Sequence, residues 1–193
     1  MRKEVRFHSQ PILAPRFVRT SMVSAIVLSG ILTATACSTS SGGDGERNYT
    51  IPSTQCGISL NPELISPFLP GGDSITVKPS SPNGGTKRCD VIVDGKLAIR
   101  EIQSWWSNGE RVTTVAEAYD KTANGEVAPN GRVLFSDVGA VGKTAAYCTS
   151  VEHPDQTLFT VIQVFTSGRS DSAAMKRLVT SYTQSVENSA ECR

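Results

Sequence analysis

Residues 88–104 read Arg88-Cys89-Asp90-Val91-Ile92-Val93-Asp94-Gly95-Lys96-Leu97-Ala98-Ile99-Arg100-Glu101-Ile102-Gln103-Ser104. An Asp-Gly pair between two runs of β-forming residues is the strongest short-range hairpin signal, since a type I′ turn needs two residues that tolerate positive φ. A two-residue turn pairs Val93 with Lys96, Ile92 with Leu97 and Val91 with Ala98. Apolar residues then stand on both faces of the ribbon, so both faces need cover.

Residues 157–166 repeat that pattern. Leu158, Ile162 and Val164 point one way while Phe159, Val161 and Phe165 point the other, as in a central strand. Two amphipathic helices can cover it. Ser107-Asn108-Gly109-Glu110 has the form of a capping box ahead of Val112, Val115, Ala116 and Tyr119. A final helix starts near Ser170-Asp171 and aligns Met175, Leu178, Val179, Tyr182 and Val186. Asn61-Pro62-Glu63 opens a short helix with Leu64, Ile65, Phe68 and Leu69, stopped by Pro67 and Pro70-Gly71-Gly72. Further strands are expected at 74–78, 132–135 and 144–150, with 79–86 as an exposed loop. This order predicts an α+β fold, a mostly antiparallel β-sheet with helices on both faces, in place of a doubly wound parallel sheet.

Upstream, Arg2, Lys3, Arg6, Arg16 and Arg19 precede an apolar run of fifteen residues, 22–36. A spanning helix needs ~20 residues, so a cleaved export signal is the better reading. Ala34-Thr35-Ala36 is a small-x-small site for ordinary signal peptidase, and with Cys37 it also resembles the lipobox of bacterial lipoproteins, with Ala34 where Leu is usual. Residues 1–36 are thus expected to be a lipoprotein-type signal peptide, 37–54 a Ser/Gly-rich tether and 55–193 a single domain. Cys37 would carry the lipid, holding the protein on the outer face of the cytoplasmic membrane.

Loss of residues 1–36 leaves 14 Lys and Arg against 17 Asp and Glu, so the formal charge passes from +1 to −3. A mildly acidic, interspersed surface argues against nucleic acid as a partner. Of five cysteines, setting Cys37 aside leaves Cys56, Cys89, Cys148 and Cys192, enough for two disulfides in an oxidising compartment. Three pairings are possible. Cys56–Cys89 and Cys148–Cys192 are favoured because each joins an edge segment to an expected strand. There is no C-x-x-C pair, and only His153 remains beyond the signal, so a zinc site is a poor reading and no cofactor is expected.

Cys56-Gly57-Ile58, the short helix after it, the strand holding Cys89, Val138-Gly139-Ala140-Val141-Gly142 and the final helix together resemble small actinobacterial lipoproteins grouped as a domain of unknown function. Such families are similar in turn to LpqN-type and PsbP-like α/β/α sandwiches, and the resemblance implies that fold. Asp90 stands where the family pattern has Trp after the second cysteine. The resemblance assigns no activity or catalytic residue.

Gly142-Lys143-Thr144 has the ending of a phosphate-binding loop, but Asp137 replaces the first glycine and the expected continuation is a strand without a helix N-terminus. A turn before a strand is the expected role. His153 lies in a loop with no recognisable nucleophile motif. Glu101, Glu110, Glu117 and Asp137 fall in separate segments and read as solvated surface charge. Trp105 and Trp106, adjacent in an extended segment, should face opposite ways, with Tyr119 beside the more exposed ring, unless both pack under the helix that follows. They are the candidate binding residues of a non-catalytic envelope protein that takes another envelope protein or a small apolar ligand in a groove between helix and sheet. An extracytoplasmic hydrolase is the alternative.

Overall fold

The computed structural model describes residues 45–192. The signal segment, Cys37 and the first part of the tether lie outside these residues. The tether was expected to run to residue 54, yet the chain is bound to the domain from Arg47 onward. Arg47 bridges to Gly72 and donates from Nη2 to the carbonyls of Ser66 and Leu69, while Tyr49 and Ile51 pack on the core. Apolar Tyr49 and Ile51 are what the Ser/Gly composition upstream lacks.

Strands β1 (Thr54–Gln55) and β2 (Ile58–Ser59) form a small hairpin whose turn holds Cys56 and Gly57 at φ 46° and 91°. Helix α1 (Pro62–Ile65) is capped by Asn61, whose Oδ1 accepts from the Glu63 amide at 3.0 Å, and passes into a 3-10 turn at Ser66–Phe68. The short helix and its punctuation are as expected.

Strands β3 (Ile75–Asn83), β4 (Thr86–Val93) and β5 (Lys96–Ser107) follow. The Asp94-Gly95 turn has both residues at positive φ and pairs Val93 with Lys96 and Ile92 with Leu97. One residue further the expectation fails. Val91 pairs with Ile99, because Ala98 is the extra residue of a β-bulge. Ala98 and Ile99 are both buried, and the Ala98 carbonyl accepts from Phe165 N at 2.8 Å. The expected loop at 79–86 is also corrected, since β3 continues to Asn83. Its prolines are tolerated because β3 is an edge strand, where a missing N–H interrupts no inner ladder.

Helix α2 (Val112–Glu117) has Arg111 as its N-cap without a side-chain bond, so the capping box read at 107–110 does not form. Strands β6 (Glu126–Val127), β7 (Val133–Phe135), β8 (Gly139–Lys143) and β9 (Gln156–Val164) complete the main sheet, and helix α3 (Ser172–Glu187) ends the fold. The strand expected at 144–150 is instead β8, which ends at Lys143, because Ala140 and Val141 are the buried pair. Asp171 caps α3, its Oδ1 accepting from Ala174 N at 2.8 Å. Replacing it with Ala removes one satisfied helix donor and is expected to cost about 1 kcal/mol in chemical denaturation.

The fold is α+β. Its seven-stranded sheet runs β3-β4-β5-β9-β8-β7-β6 with every pair antiparallel. Alternation along β9 divides the core. Leu158, Ile162 and Val164 join the α3 stripe of Met175, Leu178, Val179, Tyr182 and Val186, whereas Phe159 and Val161 join Val112, Val115 and Ala116 of α2.

One glycine explains a motif. A Cβ on Gly142 would collide with Thr183 Oγ1 of α3 and sit 2.7 Å from Thr160 Oγ1. Gly142 lets α3 close on the sheet, and Lys143 ends β8 instead of opening a helix, so the phosphate-loop ending is a packing feature. Gly142→Ala should lower the unfolding free energy by about 1–3 kcal/mol, with α3 protection from hydrogen exchange reduced.

Candidate functional site

The hairpin bulge decides what faces the groove. By shifting the β4–β5 register it sets Cys89 opposite Glu101, Lys87 opposite Gln103, and Asp90 opposite Arg100. Arg100 grips Asp90 with two bonds, Nε to Oδ1 at 2.7 Å and Nη2 to Oδ2 at 2.8 Å. Continuing across the sheet, Gln103 pairs with Thr160 and Thr160 with Gly142. A polar row thus crosses the face on which Tyr182 and Thr183 of α3 pack.

At the β3–β4 end of this row lies a groove of about 420 Å³. One wall is the turn at 83–87, where Asn83 Oδ1 accepts from Gly85 N at 3.0 Å. A second wall is the loop 150–153, and a third is Ala190 and Glu191 in a 3-10 turn. Gln103 and Trp105 supply the base. His153 stacks on Trp105, with ring centroids 5.0 Å apart and planes 20° off parallel. Lys87 Nζ meets both Glu191 carboxylate oxygens, at 2.7 and 2.8 Å.

The disulfides are Cys56–Cys89 and Cys148–Cys192, the favoured pairing. Disulfides persist in oxidising compartments, which places the folded domain outside the cytoplasm. Cys148–Cys192 joins the loop wall to the C-terminal wall, since 150–153 follow one cysteine and Ala190 and Glu191 precede the other. Glu187 helps: its Oε1 accepts from Arg132 and from Ala145 N, each at 2.6 Å, and its Oε2 from Tyr147 OH at 3.1 Å.

Behind the groove, sharing Gln103 and Glu191 with it, lies a cavity of about 80 Å³ bordered by Cys56, Cys89, Glu101 and Tyr182. Glu101 is 1% exposed. The surface-charge reading of this residue is overturned, because the bulge puts it on the inner face beside Cys89. With the Gln55 amide turned so that its nitrogen faces the carboxyl, Nε2 donates to Oε2 at 3.1 Å and also to Oε1. Burial pushes the Glu101 carboxyl up to about 8, so it is largely neutral at pH 7. Tyr182 is held well above the ordinary phenol range by burial and then by the nearby Glu101. Gln103 Nε2 donates to Tyr182 OH at 3.3 Å, while Gln103 Oε1 is buried without a partner among the described residues.

The three aromatic candidates do not form one site. Trp105 packs with the α3 cluster and lines the groove, whereas Trp106 and Tyr119 pack on the α2 cluster. Both tryptophans are half-buried. Sequence reasoning missed Gln103 as a groove residue, although it shares two-residue spacing with Ile99, Glu101 and Trp105. It treated His153 only as a hydrolytic candidate, and the turn at 83–87 as plain loop.

Among the described residues, no helix is long and apolar enough to cross a membrane, and no group of three or more His, Cys, Asp or Glu is placed to hold a metal ion. Among the described residues the His153 imidazole makes its ring contact with Trp105 and no side-chain hydrogen bond. Protein-family models, curated proteins and solved structures give no match to this chain.

Proposed function

We propose that the protein is a non-catalytic binding domain of the cell envelope, anchored to the outer face of the cytoplasmic membrane by lipid on Cys37 and holding its ligand in the Trp105 groove. The observation that carries the binding role is a groove whose facing walls are joined by Cys148–Cys192 and whose base presents an aromatic stack. Such a site is largely pre-formed, which spares a ligand the ordering of loops. Support for the anchor is the small-residue stretch ending at Cys37 and the pairing of the other four cysteines among themselves.

In a thermal-shift series, envelope extract fractions should raise Tm of the exported protein, and Trp105→Ala should abolish the rise while Trp106→Phe retains it. No shift with lipid, wall or protein fractions would overturn the binding reading. Intact mass tests the anchor separately, because an unmodified N-terminal Cys37 removes the lipid but leaves export standing.

A hydrolase is the second reading, favoured by His153, Glu152 and Glu191 lining one groove. Turnover of the bound ligand that disappears in His153→Ala would replace the non-catalytic reading with this one.

A further inference from the structure

We propose that the groove takes a neutral, hydroxyl-rich ring compound, a carbohydrate, with one hydroxyl donating to Gln103 Oε1 and a C–H face lying along the Trp105–His153 stack. This rests on the binding reading above and names its ligand class.

Gln103 is the first ground. Gln103 as a whole is 8% exposed, and its amide nitrogen is committed to Tyr182 while its oxygen has no partner among the described residues. An open buried acceptor is costly and calls for a donor. Gln103 lines both the groove and the cavity behind it; Oε1 itself is covered, and a donor in the groove reaches it as the amide turns toward the opening. The cavity alone, at about 80 Å³, is far too small for a sugar ring.

Charge is the second ground. Lys87 and Glu191 neutralise each other across the rim at 2.7 Å. Glu101, deeper in, is neutral at pH 7. A phosphorylated or carboxylated ligand would have to break that pair to reach Lys87 and would lie in a groove that also holds the acidic side chain of Glu152, beside His153. A hydroxyl can do what an ion does not, accepting from Lys87 and donating to Glu191 while the pair persists.

Wall chemistry is the third. Asn83, Thr86, Ser81 and Gln103 present amides and hydroxyls, and the apolar lining is broken into the Trp105–His153 stack and the separate side chains of Val151 and Ala190. An acyl chain needs the reverse, a continuous apolar tunnel. A ring with hydroxyls at its edge and C–H groups on its face matches both kinds of surface, and about 420 Å³ lies within the range of small-molecule sites.

The test uses the exported protein with both disulfides intact on a printed array of neutral, carboxylated and phosphorylated glycans. The best neutral glycan is then titrated by tryptophan fluorescence beside palmitate. We expect saturable binding of a neutral glycan, at least tenfold weaker in Gln103→Leu and in Trp105→Ala, and unchanged within about twofold in Trp106→Phe. Circular-dichroism melting confirms that each variant is folded. A preference for phosphorylated or carboxylated glycans, no bound glycan, or equal affinity in Gln103→Leu would overturn the proposal. Palmitate binding that is lost in Trp105→Ala overturns the carbohydrate while leaving the groove as a binding site. Silence from glycans, palmitate and every envelope fraction takes both readings down together.

Discussion

Raising the pH from 5 to 9 is expected to lower the unfolding free energy of the wild-type protein by on the order of 4 kcal/mol more than that of Glu101→Gln. The cause is a carboxyl buried at the sheet–helix interface, which takes up its proton near pH 8 in the folded state against an ordinary value of 4.5. Between those two values the folded state binds one proton more than the unfolded chain. Stability must therefore fall as pH rises, by about 1.4 kcal/mol per pH unit, until the folded carboxyl ionises. Below pH 4.5 both states are protonated and the contribution is fully present. Above about 8 it is lost. Glu101→Gln keeps the shape and can still accept from Gln55, but it cannot ionise, so subtracting its curve removes the other titrating groups. Urea denaturation at closely spaced pH values measures the difference. Parallel curves for the two proteins would show Glu101 to be ionised and compensated in the folded state.

Glu101 also shows where sequence reasoning stops. The hairpin was legible from Asp94-Gly95, whose two positive-φ residues leave few alternatives, and α3 from its apolar stripe and Asp171 cap. The α+β class followed from those elements and from the two-faced β9. The bulge at Ala98 was not legible, because it depends on Ala98 and Ile99 both being buried and on the Ala98 carbonyl meeting Phe165 of a segment far along the chain. A one-residue shift changes which residues face each other on neighbouring strands. It converted Glu101 from apparent surface charge into a buried acid and set Gln103 facing α3. Trp105 and Trp106 were expected on opposite faces by simple alternation, and they join different clusters. Their neighbours were beyond reach, since His153 meets Trp105 only through tertiary packing.

Replacing Cys148 and Cys192 together by Ser is expected to destabilise the fold by about 4 kcal/mol and to weaken ligand binding at least tenfold, even at temperatures where the variant is fully folded. The first figure comes from releasing a cross-link that spans 44 residues, which the chain-entropy account values at about 4 kcal/mol. Cys56–Cys89 spans 33 residues and has nearly the same entropic worth, so stability alone does not separate the two bonds. Position separates them. Cys148–Cys192 joins two groove walls, whereas Cys56 and Cys89 border the cavity behind Gln103. Without Cys148–Cys192 the closest remaining link at the rim is Lys87–Glu191, with Lys87 60% exposed. Such a pair contributes only about 0–1 kcal/mol. Glu187 still holds Ala145 and Tyr147, but it acts upstream of Cys148 and leaves the loop at 150–153 to move. Hydrogen exchange should accordingly rise at 150–153 and 188–192 in Cys148→Ser/Cys192→Ser, while Cys56→Ser/Cys89→Ser should keep those segments protected and bind within a few-fold of wild type. Equal loss of binding in both double variants would mean that the disulfides serve the groove only through global stability, and that the closure of its walls by Cys148–Cys192 has no functional consequence.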